Sequence, residues 1–196
     1  MAGVTIEDLR ELHRAFPADS ISWRAQTVTK RGNDTFALAL AYIQSRDVMD
    51  ILDRVCTPAY WQSEHYDAGN GKLGCRIGIY INDQWVWKSD GAGDTDVEAE
   101  KGAFSDALKR AAVNWGVARY LYDLGNTWVP CEATEYQGKL KFKKFTDDPW
   151  NHVRNRAAFL PKPKPKTKPA EQEIAEKTGG RIVDERLLDH PLMAGE

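Results

Sequence analysis

Cysteine is scarce in this chain: three residues, Cys56, Cys75 and Cys131, in 196. None belongs to a CxxC pair, and the nearest histidine, His65, lies too far along the chain from each to complete a zinc finger. The spacing argues against a structural zinc site and for buried or neutral thiols in a reducing compartment. Long apolar runs are missing too. No stretch approaches the ~20 residues a membrane helix needs, so no membrane partner is expected. The N-terminal MAGVTIEDLRELHRAF has neither the basic flank nor the apolar segment of a signal peptide. These absences lead to the expectation of a cytoplasmic protein. Also absent is an excess of positive charge. The formal net charge is −2, which argues against a uniformly basic nucleic-acid binder.

What is present is the composition of a globular domain, 42% hydrophobic and 29% charged, with a charge distribution that the net value conceals. Residues 101–145 carry eight basic side chains (Lys101, Lys109, Arg110, Arg119, Lys139, Lys141, Lys143 and Lys144) against four acids (Asp106, Asp123, Glu132 and Glu135). That segment is positive inside an acidic chain, and a local positive surface is what phosphate binding requires.

Periodicity organises the rest. TIEDLRELHRA at 5–15 reads as a short amphipathic helix with Ile6, Leu9, Leu12 and His13 on one face. Residues 21–29 and 35–44 read as strands across the turn KRGND, and SRDVMDILDRV as a helix with Val48, Ile51, Leu52 and Val55 at helical spacing. YWQSEHYD, KLGCRIGIYI and QWVWK are three strand-like runs punctuated by AGNG and ND, which are hairpin signals. From 96 to about 121 the period becomes helical, with Phe104, Leu108, Ala111 and Trp115 forming one apolar stripe and Lys101, Ser105 and Lys109 on an adjacent face. GKLKFKKF at 138–145 alternates Leu140 and Phe142 with Lys139, Lys141 and Lys143, a strand with one lysine-rich face. Trp85 and Trp87 share a strand face that is expected to pack on the long helix, because large aromatics dominate cores. Strands first and then one long helix give an α+β class. The composition shifts near Leu160. Residues 1–159 form the expected domain, 160–170 a Pro/Lys linker (PKPKPKTKP) of extended polyproline type, and 171–196 an acidic tail expected to be flexible or to fold on a partner.

The glycine-rich acidic stretch KSDGAGDTDVEAEK at 88–101 needs a decision. A Walker loop needs a lysine and a Ser or Thr at the helix start, but GAG is followed by Asp94, Thr95 and Asp96, whose carboxylates would repel a triphosphate. The dinucleotide fingerprint lacks its third glycine, and neither register supplies the glycine and glutamate of a calcium loop. No cofactor is expected. A metal-dependent nuclease drawing on Asp90, Asp94 and Asp96 is the enzymatic alternative. Against it, Thr95-x-x-Glu98 is a capping box and acids in a first turn favour the helix dipole, so a turn and a cap are the preferred reading.

Within the following helix, the adjacent pair Lys109–Arg110 cannot be buried whole behind the apolar stripe. The run SDGAGDTDVEAEKGAFSDALKRAAVNWG, with ISWRAQ upstream and RYLYDL downstream, resembles the Rad-fifty-two-type single-strand annealing proteins, most of all the short versions of bacteriophages and prophages. The resemblance extends from about Ile21 to Val129. It implies a β-β-β-α core, an antiparallel sheet packed on one long helix, and assembly of copies into a ring. A groove around that ring would hold the backbone of single-stranded DNA with bases exposed for pairing, without ATP and without catalysis, in recombination and double-strand break repair. The family's groove Lys–Arg pair falls on Lys109 and Arg110, and its early-strand arginine on Arg24. The further groove arginine of eukaryotic members falls on Val113, so that contact is missing; Arg119 and Lys101 are possible substitutes that the resemblance does not transfer. The lysine face of 139–145 suggests a second site for duplex DNA, or else an edge strand protected by charge. The acidic tail suggests docking on a single-strand binding protein, and a recombination mediator that does not anneal is a further alternative.

Overall fold

The computed structural model describes residues 4–91 and 100–160, and the side chains of all of these except Glu100 and Lys101. All lie in the first of two units of the chain, Met1–Pro161. The capping box expected at Thr95 and Glu98, together with Asp94 and Asp96, falls outside the described residues, as does the tail.

A short helix α1 (Ile6–Arg10) opens the fold. Thr5 and Asp8 cap it reciprocally, the Thr5 hydroxyl accepting from the Asp8 N–H and the Asp8 carboxylate from the Thr5 N–H. Strands β1 (Ser22–Arg31) and β2 (Asp34–Tyr42) form a hairpin, and α2 (Ser45–Cys56) follows. Next come β3 (Trp61–Asp67), β4 (Leu73–Ile81), β5 (Gln84–Gly91) and α3 (Glu100–Asn114). The β4–β5 turn is the two-residue loop Asn82–Asp83, both at positive φ, the geometry that matches strand twist. Strands β6 (Thr127–Tyr136) and β7 (Lys139–Phe145) and the short α4 (Arg156–Phe159) complete the unit.

The strands form two antiparallel sheets. One is β3-β4-β5 and the other β1-β2-β6-β7. The first, followed by α3, is a β-β-β-α unit within an α+β fold. Its inward face presents Cys75, Ile77 and Ile79, all fully buried, against Ala107, Leu108 and Ala111 of α3 and Val48, Ile51 and Leu52 of α2. Each of the buried Val, Leu and Ile side chains contributes about 1.5–3 kcal/mol by leaving water. Trp115 seals the layer, its Nε1–H donating to the Ile77 carbonyl at 3.1 Å. The four-stranded sheet buries small residues on its inner side, Ala37, Ala39 and Val129. It curls until β1 and β7 face each other across a cleft of about 400 Å³ lined by Ala25, Val28, Leu140 and Phe142. All three cysteines are free and buried. Burial pushes the Cys56 thiol up to about 12 and Cys75 to about 11, consistent with neutral thiols.

Four expectations are corrected. A single sheet on one long helix becomes two sheets, because the chain after α3 returns to pair β6 with β2. The helix ends at Asn114 rather than near 121. Gly116 takes φ +99, the Val117 N–H reaches back to the Ala112 carbonyl at 3.2 Å, and a Cβ on Gly116 would lie 2.5 Å from the His13 ring, so only glycine closes this end. Phe104 leaves the apolar stripe: it is 57% exposed and lies on His65, with ring centroids 4.9 Å apart. Finally, Trp85 and Trp87 lie on the face away from α3. They pair in register with Tyr80 and Gly78, whereas Val86 and Lys88 pair with the buried Ile79 and Ile77. Gly78 provides the room, since a Cβ there would meet the Trp87 ring at 2.9 Å.

Candidate nucleic-acid interface

Lys109 and Arg110 sit on adjacent positions of α3, flanked by the buried Leu108 and Ala111. Ala107, Leu108, Ala111 and Ala112 are buried in the core, which leaves the two cations to turn outward in different directions. Lys109 leans toward the hairpin. Its Nζ lies 5.6 Å from the centre of the Tyr42 ring and 3.8 Å from Asp106 Oδ1, and its side chain is 26% exposed. Arg110 leans toward β5, where its Nη2 donates to Asp90 Oδ1 at 3.3 Å; its side chain is 44% exposed. The two therefore present their charge on either flank of α3, and each already has a carboxylate neighbour.

Arg24 joins Lys109 through the strand register. Cross-strand partners project to one face, and Ser22 pairs with Tyr42 while Arg24 pairs with Leu40. Arg24 thus lies on the same outer face as the Tyr42 ring that Lys109 covers, two residues along, about 7 Å by strand rise. Arg24 is exposed. Tyr42 is a residue that sequence reasoning missed. Its position three residues before α2 carries no signal without knowledge of which strand it pairs with.

Arg119 lies elsewhere. Its guanidinium donates to the Val113 carbonyl at 2.9 and 2.6 Å and to the Asn114 carbonyl at 2.9 Å, so it caps the C-terminus of α3. Lys88 converges on the same end, its Nζ donating to the Asn114 carbonyl at 2.9 Å and lying 4.3 Å from the centre of the Trp115 ring. Burial, and secondarily the charge of Arg119, lowers the Lys88 pKa. Both cations meet the negative end of the helix dipole. Val113 is half-buried at this end and offers no charge. The Lys101 side chain is not among those described.

The lysine run of β7 is rearranged by a β-bulge. Glu132 pairs with Lys144 and Ala133 with Phe142, leaving Lys143 as the extra residue. Phe142 and Phe145 therefore share the inner face, with centroids 4.7 Å apart. Lys139, Lys141 and Lys144, rather than Lys143, share the outer one. Lys141 lies 4.4 Å from the centre of the Tyr136 ring, and Lys144 pairs with Glu132 at 3.0 Å. Strict alternation failed here by a single residue. As for the proposed metal ligands, Asp90 is the partner of Arg110, and its Oδ1 also accepts from the Gly91 N–H at 2.7 Å.

Lys109 on α3 and Arg24 on the hairpin thus share one side, and Arg110 lies on the other flank of α3 beside β5. The family model of the Rad52/22 family double-strand break repair protein matches residues 6–140. The chain belongs to the Rad52/22 family. Among curated relatives, it is similar to the single-stranded DNA-binding protein DdrA of Deinococcus deserti, 38% identical over 122 residues, covering 61% of this chain and 59% of that protein. DdrA of Deinococcus radiodurans is 36% identical over 122 residues, covering 61% and 57%. The chain thus spans somewhat less than two thirds of the relatives it matches. The family match takes in both sheets as far as the start of β7 and all of α3, so Arg24, Tyr42, Lys109 and Arg110 lie within the part shared with the Rad52/22 family.

Proposed function

We infer that this Rad52/22-family chain binds single-stranded DNA by its backbone and promotes ATP-independent annealing of complementary strands in recombination and double-strand break repair. The observation that carries this reading is the placing of Lys109 over Tyr42 on the hairpin face that bears Arg24, with Arg110 on the adjoining flank of α3. Family membership and the single-stranded DNA-binding name of the relatives support it. Lysine and arginine neutralise phosphates without reading sequence, so binding is sequence-tolerant and salt-sensitive. Annealing asks only that the backbone be held and the bases left facing outward. It needs no nucleophile, general base or nucleotide, and the protein acts as a binding protein rather than an enzyme.

In this reading copies assemble into a ring, which joins a few contacts per subunit into one continuous path. The outer lysines of β7 offer duplex DNA a second surface, the acidic segment 171–196 is a docking element for a single-strand binding protein, and the protein works in the bacterial cytoplasm.

The test is fluorescence anisotropy and strand annealing with Lys109→Ala/Arg110→Ala, with circular dichroism as the fold control. Loss of two phosphate contacts should weaken binding by about a hundredfold and reduce the log–log salt slope by about 1.4. Annealing should stop. Near-normal binding by the folded double variant overturns the assignment.

A further inference from the structure

The outer face of the β1–β2–β6 strands carries a second cationic and aromatic cluster, at the opposite end from Tyr42. Arg31, the last residue of β1, places its guanidinium carbon over two rings, 4.8 Å from the Trp128 centre and 5.5 Å from the Phe36 centre. Register explains the contact: Thr29 pairs with Phe36 and Leu38 with Trp128, which sets all of these side chains and Arg31 on one face. Arg31 is exposed and both rings are half-buried. Among the described residues Arg31 forms no ion pair, although Asp34 is its cross-strand neighbour. The other carboxylate on this face, Glu132, is held by Lys144.

We propose that a single strand runs along the outer face of β2, from Lys109 and Arg24 at the Tyr42 end to a second contact formed by Arg31, Trp128 and Phe36. This rests on the reading of Lys109 and Arg110 given above. A guanidinium attracted to two ring faces still offers its fork of N–H donors to a phosphate. The exposed parts of the rings offer a surface to a base or sugar. Between the ends lie Thr27, Thr29, Leu38 and Leu40, neutral residues that do not repel a backbone. Cations outnumber carboxylates on this face, and a polyanion with flat bases is the occupant whose chemistry fits both the charge and the rings. Phe36 and Tyr42 are six residues apart, about 20 Å by strand rise. A strand must therefore be several nucleotides long to touch both ends.

Length dependence tests this. Affinities of the full chain for short (~4 nt) and long (~30 nt) oligothymidylates are compared for wild type, Arg31→Gln, Arg31→Lys and the control Arg46→Gln, which removes an equal charge from an exposed position of α2. Arg31→Gln should weaken the long oligonucleotide by about tenfold, the loss of one good contact, and leave the short one unchanged. Arg31→Lys, which keeps the charge without the guanidinium's fork of donors, should fall between. Arg46→Gln should change neither. Unchanged affinity of Arg31→Gln at both lengths overturns the proposal while leaving the Lys109–Arg110 reading intact. Equal losses in Arg31→Gln and Arg46→Gln reduce it to bulk charge and overturn it also. A change of particle mass by light scattering, with DNA affinity unaltered, assigns the face to contact between copies and overturns it as well. Failure of the wild type to bind either length removes the underlying reading, and this one with it.

Discussion

Asp90 Oδ1 and Arg110 Nη2 are 3.3 Å apart, joining the end of β5 to the middle of α3. One member of the acidic stretch 88–101 is thereby the counter-ion of a cation in the proposed DNA contact. A phosphate arriving at Arg110 must share it with this carboxylate or displace it. Asp90→Asn keeps the shape and removes the competing charge. A half-exposed pair is worth less than about 1 kcal/mol, so single-strand affinity should rise by about threefold at low salt, read by anisotropy. A weaker complex would mean that Asp90 holds Arg110 in place for the phosphate. Magnesium-dependent cleavage abolished by the same substitution would restore the nuclease alternative.

Arg119 is expected to act on the fold. Its guanidinium covers the Val113 and Asn114 carbonyls that α3 leaves unsatisfied. Arg119→Ala should cost about 1 kcal/mol, a fall in Tm of about 2–4 °C for a chain of this size. The affinity of the folded variant for DNA should stay within about twofold of wild type. A drop like that of the Lys109→Ala/Arg110→Ala protein would place Arg119 on the strand.

Gly78 is fixed by what lies on it. A Cβ would sit 2.9 Å from the Trp87 ring, which in turn carries the Arg76 guanidinium 4.6 Å from its centre. Gly78→Ala must push the ring outward and should destabilise by about 1–3 kcal/mol. The tryptophan emission should shift to the red with the loss of Tm. Full stability in Gly78→Ala would contradict the seating of Trp87.

Acid stability has one local source that can be isolated. Asp147 accepts from Asn151, from His152 and from the Asp148 N–H, and these hydrogen bonds lower its pKa below the ordinary 3.8. Because the folded value lies under the unfolded one, the stabilisation is complete above about 3.8 and is lost as the pH falls through the lower folded value. Urea midpoints of Asp147→Asn should therefore converge on those of wild type below that point and lie beneath them at pH 5. Parallel curves throughout would exclude Asp147 as a contributor.

Much of this arrangement was legible in the residues. The helical spacing of Val48, Ile51 and Leu52, the hairpin turns and the outward pair Lys109–Arg110 follow from periodicity alone. What failed did so for identifiable reasons. Alternation tells which residues share a strand face but not which face turns inward, and Trp85 and Trp87 were assigned to the core by size. The useful signal was in the neighbouring strand, where Gly74 and Gly78 leave room for Tyr66 and Trp87 on the outer side. Lys143 was misplaced because one unpaired residue reverses every assignment beyond it. The convergence of Arg24, Tyr42 and Lys109 depends on a pairing between residues 22 and 42 and on packing between separate elements, neither of which is written in local spacing.

The end of α3 bears on how strand binding should respond to salt. Counterions are released only by cations that exchange solvent for phosphate. Lys88 and Arg119 already face carbonyl oxygens, and Lys144 faces Glu132. Such side chains neutralise few phosphates and so release few of the cations condensed on the strand. The ionic-strength response of a subunit should thus be much flatter than its content of lysine and arginine suggests, even where the loss of two residues weakens binding by about a hundredfold.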